Sequence, residues 1–175
     1  IRSFLFEPFN IPSGSMIPTL RIGDLILVNK FEYGIKLPII DYKLLPVNKP
    51  TRGDVAVFRW PKDVSLDYIK RIVGLPGDVI QYKEKQLKVN DVIITKSRTV
   101  DYLDPSTFKL SRQFEENFHE TSYTVLNDIG VVDFYFDEKI FKNHCNRIVN
   151  GISCVVPEKH YFVLGDNRDN SSDSR

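Results

Sequence analysis

At 175 residues, with 42% hydrophobic and 27% charged content, the chain suits one domain with a proper core and is not disordered. A formal net charge of +1, with no long basic run, excludes the clustered Lys and Arg of a nucleic-acid footprint. No apolar run approaches the ~18 residues of a membrane span, and no signal-peptide pattern is visible.

The chain opens at Ile1 without an initiator Met and stops at Arg175 inside a polar motif, so it reads as a fragment truncated at both ends. Phe4, Leu5, Phe6, Pro8, Phe9 and Ile11 form an apolar approach to the turn Pro12-Ser13-Gly14-Ser15-Met16-Ile17-Pro18-Thr19-Leu20. Such a surface suits a partner or lipid contact. Helical periodicity is weak. Alternating or continuous apolar runs predict strands at 24–28, 54–60, 68–73, 79–82, 86–89, 92–95, 122–126 and 160–164. Arg52-Gly53-Asp54, Leu75-Pro76-Gly77-Asp78 and Val89-Asn90-Asp91 are turn signals, and 79–95 predicts a hairpin turning near Glu84. Residues 37–50 carry three prolines and read as a long irregular connection. Residues 96–153 are less regular and more polar. The fold class expected is all-β, with several small antiparallel sheets. Its organisation is a core lobe (1–78 and 157–175) with an inserted lobe (79–156).

Cys145 and Cys154 form no C-x-x-C motif, and a zinc site at His144 and Cys145 would offer two adjacent ligands without a second pair. Two buried thiols or a disulfide remain. The disulfide, closing a short loop through Gly151, is preferred. It would contribute roughly 2.5–3 kcal/mol on the chain-entropy model and implies an oxidising compartment.

A serine hydroxyl needs a base to become a nucleophile. Histidine is the usual base, but His119 and His144 fall in the irregular stretch and His160 opens a strand. No G-x-S-x-G elbow surrounds Ser15. Lys70, in Asp67-Tyr68-Ile69-Lys70-Arg71-Ile72-Val73-Gly74, sits in an apolar strand-like run. Holding it neutral near pH 7 costs roughly 4–5 kcal/mol, which apolar burial can supply. Arg71 points to the opposite face of such a strand, so one of the two cations is expected wet and the other buried. Ser106-Thr107-Phe108-Lys109 matches S-x-x-K, but no S-D-N or K-T-G follows, and it is set aside.

Five ordered blocks, 9–20, 23–30, 52–58, 67–78 and 165–175, now carry a resemblance. The last reads Gly165-Asp166-Asn167-Arg168-Asp169-Asn170-Ser171-Ser172-Asp173-Ser174-Arg175. The chain resembles the catalytic region of bacterial type I signal peptidase, a Ser/Lys endopeptidase family. The resemblance implies Ser15 as nucleophile and Lys70 as general base. It implies an oxyanion hole from the Ser13 hydroxyl and the Ser15 N–H, and Ser171 orienting the lysine. Asp166, Asp173 and Arg175 are implied as supporting groups, with Gly165 shaping the returning strand. Phe9, Ile11, Pro12, Met16, Leu20, Ile26, Val57, Asp67, Tyr68 and Ile69 match the pocket walls that accept small residues at −3 and −1. The partners implied are signal-peptide-bearing preproteins and a membrane lipid surface. The protein is expected as a monomer without cofactor, metal or nucleic acid, at the bacterial inner membrane with its catalytic domain on the periplasmic face. Two other readings compete: a LexA-like self-cleaving repressor, lacking here its DNA-binding segment and cleavable bond, and a non-catalytic cell-envelope β module.

Overall fold

The computed structural model describes residues 6–29, 35–36, 43–45, 49–118, 120–131 and 143–175. Strands β1 (Phe6–Asn10) and β2 (Leu25–Asn29) form an antiparallel ribbon, and β3 (Ile35–Lys36) pairs with β4 (Lys43–Leu45). The remainder of the 37–50 connection, except residues 49–50, lies outside the described residues, as do His119, Phe4, Leu5 and the side chain of Phe6. Strand β5 (Val55–Trp60) pairs with the long β6 (Asp63–Gly74). Next come β7 (Val79–Lys83), β8 (Gln86–Val89) and β9 (Val92–Ile93), a meander with two tight turns. Glu84 and Lys85 (φ 50° and 62°) and Asn90 and Asp91 (φ 48° and 67°) sit at those turns. Two left-handed residues in succession match the twist of the flanking strands.

Beyond the meander lie β10 (Thr95–Arg98), β11 (Tyr102–Leu103), β12 (Leu110–Phe118) and β13 (Thr121–Asp128), a second sheet centred on β12. Then β14 (Cys145–Ile148) and β15 (Gly151–Val155) extend the β7–β9 sheet, and β16 (Phe162–Leu164) returns to the β5–β6 sheet. The architecture is all-β, built from small antiparallel sheets. Cys145 and Cys154 face each other across β14 and β15 and are bonded, with an S–S distance of 2.07 Å.

The 96–153 stretch is more regular than its composition suggests, since β12 and β13 make a hairpin with eight paired positions. Polar residues crowd both faces of β12 and hide its alternation, yet Glu116 and Phe118 point inward while Glu115 and Asn117 face solvent. One buried cluster joins Val73, Phe162 and Leu164 of the β16–β6–β5 sheet to Ile80, Leu87, Phe118, Val125 and Ile152 of the intervening sheets. Residues 79–156 therefore share their core with the sheet that carries Lys70.

Candidate active site

The turn after β1 is pinned to β2 before any chemistry is considered. The Ile11 N–H donates to the Asp24 carbonyl and the Gly23 N–H to the Ile11 carbonyl, each at 2.9 Å. Gly14–Met16 then forms one 3-10 turn, closed by the Ile17 N–H on the Gly14 carbonyl at 3.2 Å. Ser15 lies on this turn, 6% exposed. Lys70 reaches it from β6: its Nζ donates to Ser15 Oγ at 2.7 Å and to the Ile69 carbonyl at 2.9 Å, and the side chain is 3% exposed. The ammonium also lies 5.0 Å over the Tyr68 ring. Burial pushes the Lys70 pKa below the ordinary lysine value, and the nearby Asp173 charge pulls it partly back. Ser13 Oγ stands 3.3 Å from Ser15 Oγ, so the two hydroxyls and the amine converge on one point.

The C-terminal segment closes the site from behind. A Cβ on Gly165 would come within 2.2 Å of Ser171 Oγ and 2.6 Å of the Ser15 carbonyl oxygen, so only glycine lets this strand pass. The Asn167 N–H donates to the Ser15 carbonyl at 3.0 Å, and Asn167 Nδ2 to the Gly14 carbonyl at 3.1 Å. Asp173 accepts from the Gly165 N–H and twice from the Arg175 guanidinium, at 2.9 and 2.8 Å. Burial would raise the Asp173 pKa, but Arg175 and these hydrogen bonds hold it below the usual carboxylate value. The Ser171 hydroxyl is buried without a well-formed hydrogen bond, although it lies close enough to Asp173 to favour that carboxylate's charge. No hydrogen bond joins it to Lys70 here; the amine donates instead to Ser15 and Ile69.

Two buried ion pairs went unread in the sequence. Arg71, where one wet cation was expected beside Lys70, is itself buried. Its guanidinium binds both Asp166 oxygens at 2.8 and 2.7 Å, donates to the Gly53 carbonyl at 2.6 Å and lies 4.3 Å over the Tyr123 ring. Thr19, just past the Ser15 turn, donates to the same Asp166 at 2.5 Å. Arg71 thus occupies the opposite face of β6, as alternation requires, but Asp166 makes that face dry. The second pair is Arg168 with Glu116, bidentate at 2.7 and 2.6 Å, both side chains 0% exposed. Burial opposes the Arg168 charge, and Glu116, together with Tyr82 and Tyr123, more than offsets it. An inward-facing glutamate in β12 was the one available signal for this partner.

A family model described as signal peptidase, peptidase S26, matches residues 1–175. The chain belongs to this signal peptidase family. Among its relatives are signal peptidase I of Pseudomonas aeruginosa, 44% identical over 176 residues, and of Pseudomonas fluorescens, 45% identical. Both alignments cover 100% of this chain and 56% of the relative, so the chain spans little more than half the length of either. Signal peptidase I of Buchnera aphidicola from Schizaphis graminum is 43% identical, with 100% and 64% covered. A crystal structure of a signal peptidase I from Enterococcus faecalis aligns at 28% identity and a TM-score of 0.38, covering 73% of this chain and 85% of that one.

In this family member, the residues matched to the pocket divide into three groups. Ile11, Met16 and Ile69 form a buried cluster against which Phe9, Leu20, Ile26 and Val57 pack. Pro12 and Asp67 lie exposed, and Tyr68 stands on the Lys70 face of β6. His160 is exposed, its Nδ1 bonded to the Glu158 carbonyl, while Ser15 has Ser13 and Lys70 as hydroxyl partners. Among the described residues no group of His, Cys, Asp or Glu is arranged to hold a metal, and no helix is long and apolar enough to cross a membrane.

Proposed function

We propose that this chain is the catalytic part of a serine endopeptidase that removes signal peptides from exported preproteins by Ser/Lys chemistry. The observation that carries the reading is the 2.7 Å contact between Lys70 Nζ and Ser15 Oγ with both groups buried. With Lys70 neutral, the contact reverses and the amine accepts the Ser15 proton as Oγ attacks the scissile carbonyl. The negative charge on the tetrahedral oxygen is met by the Ser13 hydroxyl and the Ser15 N–H. Lys70 returns the proton to the leaving amine, and the acyl-enzyme is hydrolysed by a water that Lys70 deprotonates in turn.

Strand geometry supports a specificity for small residues at −3 and −1. Among the described residues, β16 pairs only with residues 71–74 of β6, so the edge of β6 up to Lys70 is open on that side. An extended peptide adding to this edge presents alternate side chains to one face, which places −1 and −3 together. The apolar cluster of Ile11, Met16 and Ile69 at that edge, with Phe9, Leu20, Ile26 and Val57 against it, supports a preference for small apolar groups such as alanine. Asp173, held by Arg175 with Ser171 beside it, faces the Lys70 charge from behind, and residues 79–156 act as the cap. The protein works as a monomer.

Membrane association has its own support. Leu25 and Leu27 are 74% and 65% exposed, and Leu27 pairs with exposed Pro8, so an uncovered apolar patch lies on that face of the β1–β2 ribbon, between exposed Asn10 and Asn29. That face suits the lipid surface holding the preprotein, at the periplasmic side of the bacterial inner membrane.

The direct test is cleavage of an Ala-x-Ala preprotein by Ser15→Ala and Lys70→Ala, each expected to abolish turnover. For the parent, kcat/KM should rise with pH as Lys70 loses its proton, with a midpoint below the usual lysine value. Near-normal turnover by either variant, or an ascending limb that disappears with His160→Ala, refutes the dyad.

A further inference from the structure

The Gly14–Ser15 peptide is a single planar unit with its carbonyl and its N–H on opposite sides. Its N–H is the donor assigned above to the oxyanion hole, and its carbonyl is gripped from the other side. Asn167 Nδ2 donates to Gly14 O at 3.1 Å, while the Asn167 backbone N–H donates to Ser15 O at 3.0 Å. The Ile17 N–H takes the second lone pair of Gly14 O at 3.2 Å. We propose that Asn167 is a positioning residue for the oxyanion hole: its side-chain amide fixes the plane of the Gly14–Ser15 peptide and polarises it, so that the Ser15 N–H is held toward the developing negative charge. The inference rests on the oxyanion assignment of the preceding section.

Two effects follow from the geometry. The hydrogen bond removes rotational freedom from the peptide plane that the 3-10 turn alone restrains through one 3.2 Å bond. It also withdraws electron density from the amide, and hydrogen bonds in a chain strengthen one another. Both matter most when charge appears on the substrate oxygen, so the effect belongs to the transition state rather than to substrate binding.

Asn167 is itself rigidly held. Leu126 and Asn167 form a parallel bridge, with the Leu126 N–H donating to Asp166 O at 2.8 Å and the Arg168 N–H to Leu126 O at 3.0 Å. The next side chain, Arg168, is locked on Glu116 of β12. The hairpin β12–β13 therefore braces the C-terminal residue that sets the oxyanion peptide, and that residue lies 153 positions from Gly14 in sequence.

The test uses the full chain with Asn167→Ala and the isosteric Asn167→Asp, whose carboxylate cannot donate to Gly14 O. Kinetics are measured on a short Ala-x-Ala peptide, with affinity for a peptide aldehyde that forms a hemiacetal with Ser15. In that adduct Oγ bonds to the aldehyde carbon and the carbonyl oxygen occupies the oxyanion hole. Both variants are expected to lose about 10–30-fold in kcat, less than the ~10²–10³ for outright loss of a donor. Aldehyde affinity should fall by a similar factor, with KM and the midpoint of the ascending pH limb unchanged. Kinetics and aldehyde affinity within twofold of the parent overturn the inference. So does a loss of activity that accompanies a lowered Tm without a change in aldehyde affinity. Ser13→Ala is the control. If it weakens the aldehyde while the Asn167 variants do not, only the role of Asn167 fails; if it too leaves the aldehyde unaffected, the oxyanion assignment fails.

Discussion

Glu116→Gln keeps the shape of the side chain and removes the charge opposite Arg168, leaving a guanidinium with no accessible surface and no counterion. Breaking one side of a buried ion pair costs about 3–5 kcal/mol, chiefly because the surviving charge stays desolvated. A chain of this size loses about 2–4 °C in Tm per kcal/mol, so the expected drop is about 6–20 °C. Replacing both partners, Glu116→Met with Arg168→Met, removes the stranded charge and should recover much of that loss, since buried pairs and apolar groups of similar volume are often near equal in stability. The assay is thermal melting by far-UV circular dichroism on the parent, the single variant and the double variant. A Tm for Glu116→Gln within about 2 °C of the parent refutes the reasoning, because the pair would then be solvated or dispensable. A double variant no more stable than the single one would show that hydrogen-bond geometry, rather than stranded charge, sets the cost.

Other expectations follow from single contacts. Lys70 has a depressed pKa when folded, so its protonation favours the unfolded chain. That penalty is complete below the folded pKa and disappears as pH rises to the unfolded value near 10.5, so Lys70→Met should raise Tm at pH 7 with a gap that closes toward alkaline pH. A gap independent of pH contradicts this. Gly165→Ala puts a methyl 2.6 Å from the Ser15 carbonyl oxygen, where backbone must move. It should cost about 1–3 kcal/mol in stability and about 10²-fold in kcat/KM, read by melting and peptide cleavage, and parental kinetics would contradict it. Leu25→Ser with Leu27→Ser should weaken sedimentation with phospholipid vesicles at least about tenfold, given ~1.4 kcal/mol per decade, while sparing a soluble peptide substrate. Unchanged vesicle binding would move the lipid contact elsewhere.

Much of the fold could be read from residues because local chemistry announced it. Asn90-Asp91 demanded a left-handed turn, and apolar runs at 68–73 and 79–82 marked two sheets correctly. Ser15 and Lys70 were legible only through their surrounding blocks, since a serine on a turn and a lysine in a strand are common apart. What stayed hidden was pairing at long range. Nothing adjacent to Arg71 names Asp166, and nothing near Glu116 names Arg168, because a charge reads as solvent-facing until its partner from another strand removes the water. The same holds for β12, whose polar residues concealed its inward row.

The distance along the chain between the Ser15 turn and the segment that secures it has a consequence for biosynthesis. Thr19 meets Asp166 across 147 residues, and Asn167 meets Gly14 across 153. A nascent chain that has passed Lys70 already holds both Ser15 and Lys70, yet the counterion of Arg71, the grip on Gly14 and the charge facing Lys70 come only with residues 166–173. Contacts of such long sequence separation are also slow to form, because the intervening chain must be ordered to make them. A chain interrupted between Lys70 and Asp166 therefore carries the Ser15 turn and the β6 lysine without the segment that frames them.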